Sequence, residues 1–165
     1  MQPEEDMMSE SADVVTFTAD QALYAVPVTR VQEILDLRPV APLPNAPRYL
    51  LGIIDLRGAN IPVVDLRSLL GRPAGEDTAQ SRILVVGITH GEGQATIGIK
   101  TDRVIEVTSL DEGEIRPMGE ADLLRWSASS IAGIGRRNGD VVSVIDLDRL
   151  FASVDLASAD LAEAA

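Results

Sequence analysis

The sequence predicts an all-β protein made of two copies of one small unit, and three observations carry that expectation: an internal repeat, a β-branched composition and the placing of its turns. The repeat is the strongest of them. The run from Gly52 to Leu70 returns 81 residues later, without a gap, as Gly133 to Phe151, setting Gly58 on Gly139 and Asp65 on Asp146. Upstream, Arg30-Val31-Gln32-Glu33-Ile34 is answered by Arg103-Val104-Ile105-Glu106-Val107 at an offset of 73, so the order of elements is kept while one connection differs by eight residues. Only two copies at such a period argue against a solenoid, which usually needs three or more, and for a pair of packed barrels or sheets. Hydrophobic residues make up 45% of the 165 positions but aromatics only 3%, so Val, Ile and Leu must build the interior. A unit of about 60 residues hides only roughly 60% of its unfolded surface, so the two halves should share a face.

The elements follow in order. Residues 1–12 are acidic and polar and read as a solvated tail. Val14 to Thr18 and Ala22 to Val28 form a hairpin about Ala19-Asp20-Gln21, with Pro27 placing its position at a strand end or edge. Val31, Ile34, Leu35 and Leu37 fit one helical turn or an irregular strand, and so short a run does not decide between them. Four prolines between Pro39 and Pro47 exclude regular structure and predict a stiff surface connector. Leu50 to Leu56 and Asn60 to Leu66 pair about the Arg57-Gly58 corner. A short helical turn follows, capped by Asp65 and stopped by Gly71. The second half repeats the plan with Ile83 to Ile88, a tip at His90 to Gly93, Ala95 to Lys100, Val104 to Val107, a loop region, and Ile131 to Phe151. From 153 to 165 an Ala- and Asp-rich stretch reads as a frayed helix.

Charge and residue inventory exclude several function classes. With 14 basic and 26 acidic residues the net charge is −12, which repels phosphate backbones and anionic lipid surfaces, so nucleic acid is not an expected partner. No apolar run approaches the ~18 residues of a membrane span, and the acidic first ten residues are unlike a secretory leader, so the expected compartment is cytoplasmic. There is no cysteine for disulfides, thiolate zinc sites or thiol nucleophiles, and the single histidine, His90, has no partner histidine for a metal site or triad. The short glycine pairs Gly91/Gly93 and Gly133/Gly135 complete neither a dinucleotide fingerprint nor a phosphate loop. No cofactor or metal is expected.

The run from Leu43-Pro-Asn-Ala-Pro47 through Leu51-Gly-Ile-Ile-Asp-Leu-Arg-Gly58 to Ile61-Pro-Val-Val-Asp-Leu-Arg67 resembles the signature of the bacterial chemotaxis adaptor family, CheW. Tyr24 to Val28, Val31 to Ile34, Ile97-Gly-Ile99 and Ile145 to Phe151 match it in order and spacing, so the likeness covers about Val14 to Phe151. It implies one CheW-like domain over 13–152, formed of two SH3-like five-stranded β-barrel subdomains packed side by side, with short helical turns. They would span roughly 13–80 and 81–152, and exchange of strands between them stays open. It implies a non-enzymatic scaffold, monomeric alone, that couples methyl-accepting chemoreceptor tips to the regulatory domain of the histidine kinase CheA and is recruited from the cytoplasm to receptor arrays without inserting in the membrane. By motif matching, the receptor-binding positions are Val31, Glu33, Ile34, Asp55, Leu56, Arg57 and Gly58, with Glu33 and Arg57 expected to pair. Exposed apolar positions for the kinase are placed at Ile97, Ile99, Ile131 and Ile134. The chain departs from the family at Asp55, where Asn is common, at Lys100-Thr101 and at Arg103.

Arg57 stands out within the repeat itself. Its counterpart is Asn138, so the corner does not demand arginine, and a guanidinium offers a planar fork of donors suited to carboxylates or helix-end carbonyls. Glu33 is kept in the second copy as Glu106, which points equally to a structural pairing of each acid with a strand-end arginine. Asp65 and Asp146 are read as helix caps rather than an acid–base pair. Two rivals remain: an adaptor of a non-flagellar chemosensory pathway, and a small β-barrel ligand carrier or enzyme using Asp55, Asp65 and Arg57. The last requires a deep cavity with convergent carboxylates of raised pKa, whereas an adaptor requires a shallow open groove.

Overall fold

A computed structural model describes residues 13–90, 93–111 and 130–152. The tail expected over 1–12, the tip at 91–92, most of the loop before Ile131 and the helix expected over 153–165 lie outside the described residues. The strands are β1 (Asp13–Ala19), β2 (Ala22–Pro27), β3 (Val31–Asp36), β4 (Leu50–Leu56), β5 (Ala59–Asp65), β6 (Arg82–His90), β7 (Gly93–Thr101), β8 (Arg103–Ser109), β9 (Ile131–Arg137) and β10 (Asp140–Ile145). A 3-10 turn, Val28–Arg30, leads into β3, and two short helices, α1 (Leu66–Leu69) and α2 (Leu147–Ala152), follow β5 and β10. The ambiguous segment after Arg30 is therefore a strand, with a bulge between Val31 and Glu33.

The strands form two five-stranded mixed sheets. The first sheet runs β8-β1-β2-β10-β9 and the second β3-β6-β7-β5-β4, so each takes a hairpin from one copy of the repeat and three strands from the other. Within each sheet the two contributions meet twice, along an antiparallel ladder (β1–β8, β3–β6) and a short parallel one (β2–β10, β5–β7). The largest buried cluster lies between the sheets, where Val15, Phe17 and Val26 of the first meet Leu84, Val86, Ile97 and Ile99 of the second, joined by Leu66 and Phe151 from the helices. Each sheet also curls over a core of its own: Val14, Ala25, Val142 and Val144 in the first, Leu35, Ile54, Ile61, Val63, Ile83 and Val85 in the second. Alternate strand residues thus face two different apolar layers, which is why the repeat is rich in unbroken Val and Ile runs.

The expected closed barrels are not formed. β3 and β4 remain the edges of the second sheet and β8 and β9 those of the first, and no strand ladder joins either pair. In the second sheet the reason lies in the chain after β3, where the proline connector offers the β4 edge only one bridge, Ala41 to Ile53, with both hydrogen bonds at 2.9 Å. That bridge depends on Gly52, whose φ of +146° and whose approach to Ala41 leave no space for a Cβ. Each sheet is a curled strip whose edges meet mainly through side chains.

The helices differ in how they begin. Asp146 accepts the Arg149 N–H at 3.1 Å, a true cap, whereas Asp65 at the equivalent position makes no side-chain cap bond and instead accepts the Ser68 hydroxyl at 3.0 Å. A serine three residues on competes for the carboxylate there, correcting the expectation of two identical caps. Gly71, at φ +73°, ends α1 as expected.

Acidity is unevenly spread. The described residues hold 12 of the 14 basic side chains but only 14 of the 26 acidic ones, so the excess negative charge belongs to the remaining segments. The described residues are close to neutral, and the negative charge expected to repel anions is carried by the rest of the chain.

Candidate functional site

The β4–β5 corner turns on two residues with positive φ, Arg57 at +52° and Gly58 at +89°, the mirror-image turn that matches strand twist in a two-residue hairpin. Asp55 fixes this corner by accepting the Gly58 N–H at 2.8 Å, and the half-buried Leu56 packs against the inner core of the second sheet. Gly58 has nothing within 4 Å of where a Cβ would stand, so its role is conformational. The arm thus built carries Arg57 to the opposite edge of the sheet. There its guanidinium grips Glu33 of β3 with both nitrogens, Nη2 to Oε2 at 2.6 Å and Nη1 to Oε1 at 3.2 Å. This is the fork geometry in which arginine binds carboxylate most strongly.

Register decides what surrounds the pair. Glu33 lies opposite Val85, whose side chain belongs to the inner core, while Val31 and Ile34 lie opposite Val86 and Leu84, which face the other sheet. Val31 is half-buried against the inter-sheet core and Ile34 is 40% exposed. The seam therefore offers apolar side chains on one flank and a charged clasp on the other. Hydrogen bonding from Arg57 holds the Glu33 carboxyl below its usual range, and the same bond raises the arginine. Of the seven receptor-side positions expected from sequence, Glu33 and Arg57 touch, Val31 and Ile34 share their strand, and Asp55, Leu56 and Gly58 support the arm.

The kinase-side expectation needs correction in its premise of exposure. Ile97 and Ile99 are 0% and 1% exposed within the inter-sheet core, because β7 is an interior strand and these residues face the first sheet. Ile131 and Ile134 on β9 are half-buried.

Three further arginines tie the repeat together through ion pairs. Glu106 of β8 meets Arg137 of β9 at 3.3 Å across the edges of the first sheet, the pseudo-equivalent of the Glu33–Arg57 clasp. Repetition of the acid signalled a partner, but the arginine stands one residue before the aligned position, Asn138. Arg30 binds Asp148 of α2 through both nitrogens, at 2.9 and 2.8 Å, and Asp148 also accepts the Thr89 N–H at 2.8 Å. Arg67 of α1 binds Asp102 at 2.6 Å and lies 3.6 Å from Asp20. Since residues 67 and 148 are repeat equivalents, the two clamps have opposite polarity, which one-to-one alignment conceals.

The rival polar pocket does not assemble. Asp55 and Arg57 stand at one end of the β4–β5 hairpin and Asp65 at the other, about 20 Å of strand apart. Among the described residues the four carboxyls with displaced pKa values, Glu33, Asp102, Asp111 and Asp148, all move downward, as acids held by donors do. Among the described residues no group of three or more His, Cys, Asp or Glu could hold a metal ion, and no helix is long and apolar enough to cross a membrane.

Two interleaved mixed sheets, with a charged clasp and apolar side chains along one edge, define a two-sheet β module. Residues 13–155 match the CheW-like domain family. The chain is 29% identical over 143 residues to the chemotaxis protein CheW of Rhizobium meliloti, covering 86% of this chain and 88% of that one. It is likewise 29% identical over 133 residues to the Bacillus subtilis chemotaxis protein CheW, covering 81% and 82%. Among solved structures, the scaffolding protein TtCheW of Thermoanaerobacter tengcongensis matches with a TM-score of 0.74 at 30% identity, over 84% of this chain and 91% of that one. The chain belongs to the CheW-like domain family and is a non-enzymatic scaffold of chemotaxis signalling that links chemoreceptors to CheA.

Proposed function

We propose that the β3 seam is the receptor-binding surface, receiving the helical hairpin at a chemoreceptor's cytoplasmic tip, and that the adaptor is a cytoplasmic monomer drawn to membrane arrays by that contact. The observation that carries the assignment is Arg57. It occupies a left-handed backbone position that its repeat partner fills with asparagine, a residue suited to that conformation. A long cation held there, with its side chain 71% exposed, serves something outside the fold. Its fork, braced by Glu33, presents donors to a helix's carboxylates or terminal carbonyls, while Val31 and Ile34 supply apolar contact. The kinase is assigned to the β9 side of the first sheet, around Ile131 and Ile134, which separates the two partners.

The test is Arg57→Glu, assayed by pull-down with a receptor cytoplasmic fragment and, separately, with the kinase regulatory domain. Receptor capture is lost and kinase capture kept. Unchanged receptor capture rejects the assignment.

A further inference from the structure

One row beyond Glu33, the second sheet opens into a polar cleft of about 350 Å³. Gly87 of β6 lies two residues from Val85, the partner of Glu33, and so on the same face; its cross-strand neighbour is Thr96 of β7. Gln32, the extra residue in the β3 bulge, lays its amide over this row, with Nε2 3.5 Å from the Thr96 hydroxyl. Gly87 makes the space: a Cβ there would press on the Gln32 amide nitrogen at 3.1 Å. Thr29 and Gln94 also line it.

Arg30 is the charged side chain in this lining, and it is already committed. Asp148 takes it in a two-point ion pair and the Gly87 carbonyl accepts a third bond at 3.2 Å. Apart from Arg30, whose charge Asp148 offsets, what lines the cleft is neutral: carboxamides, hydroxyls and backbone, with Ile88 and Ala95 as its apolar part. Neutral donors and acceptors in mixed array complement a group that both donates and accepts without charge. A carboxylate or ammonium would lose its water there without a free counter-charge.

We propose that the cleft is a subsite for a carboxamide side chain, Asn or Gln, projecting from the partner helix that docks along the β3 seam. This rests on the receptor reading above and extends it, since the bulge turns Gln32 into the cleft while its neighbours Val31 and Glu33 serve the seam. The Arg30–Asp148 pair acts as a positioning clamp, holding the turn that delivers both surfaces.

The experiment uses the full chain and a receptor cytoplasmic fragment, with affinity measured by calorimetry. Gln32→Leu with Thr96→Val removes two hydrogen-bonding groups at nearly constant volume, and about a tenfold loss of receptor affinity is expected with kinase-domain affinity unchanged. A double-mutant cycle of Gln32→Leu against Asn→Ala and Gln→Ala changes in the receptor tip should find one position that is strongly non-additive. Receptor affinity within twofold of the parent, or additivity at every Asn and Gln, overturns the subsite. If Arg57→Glu meanwhile abolishes binding, the seam stands and only the subsite falls; if Arg57→Glu also binds normally, both fall together.

Discussion

The two sheets carry the same clasp in different materials. In the first, Arg137 sits within a strand, its side chain 30% exposed, and meets Glu106 through one nitrogen at 3.3 Å, while the adjoining corner is left to Asn138 and Gly139. That corner is anchored by Asp111, whose carboxylate accepts both of its N–H groups at 3.1 Å. In the second, the arginine is moved one residue outward onto the corner itself, where it reaches solvent and holds its acid by two bonds. One arrangement braces an edge; the other braces an edge and shows a cation to the surroundings. A one-residue shift, at a conformational cost, is what separates a structural pair from the proposed docking surface.

The largest expected effect tests the closure of the second sheet, since the first has no equivalent of the Ala41–Ile53 bridge among the described residues. Gly52→Ala should cost about 3 kcal/mol or more through strain at positive φ and collision with Ala41, seen as a lowered urea midpoint. A change below 1 kcal/mol would mean that the connector is only loosely docked. Next, Arg57→Glu should weaken receptor binding by at least about 30-fold, as loss of a hot spot does. Arg137→Glu should leave receptor affinity within twofold, and equal losses for the two would erase the distinction drawn here.

Acid tests the clamp on α2. The Arg30 hydrogen bond holds Asp148 below its ordinary value of 3.8, so its contribution to stability is complete above that value and fades as pH falls through the depressed folded pKa. Asp148→Asn should therefore flatten the acid limb of the stability profile, and an unaltered limb would show the clamp to be energetically silent. Finally, exchanging corner residues isolates the backbone. Asn138→Arg should destabilise by about 1 kcal/mol, whereas Arg57→Asn should raise the thermal midpoint while losing the receptor. If both changes lower the midpoint, the corner is not where the conformational cost lies.

Duplication, the β class and both corners were legible because turn chemistry and Val/Ile runs are local signals. The Glu33–Arg57 pairing came through family resemblance. Closure was not legible: whether β3 and β4 bond depends on where a proline connector lies in space, and four prolines say only that it is stiff. Nor did the exposure of Ile97 and Ile99 follow from their type, since a Val/Ile strand looks the same whether one face or both are covered. The polarity-swapped clamps escaped because alignment pairs like with like, while the chain had exchanged Arg67 for Asp148 between copies.

Interleaving has a consequence for biosynthesis. The β1–β2 hairpin leaves the ribosome with its β8 and β10 neighbours still untranslated, and at roughly 5–20 residues per second the β10 strand follows by several seconds or more. For that interval the hairpin lacks its neighbours in its own sheet, so the second sheet, whose strands all precede Arg103, can be complete before the first, which waits for emergence of the last strands.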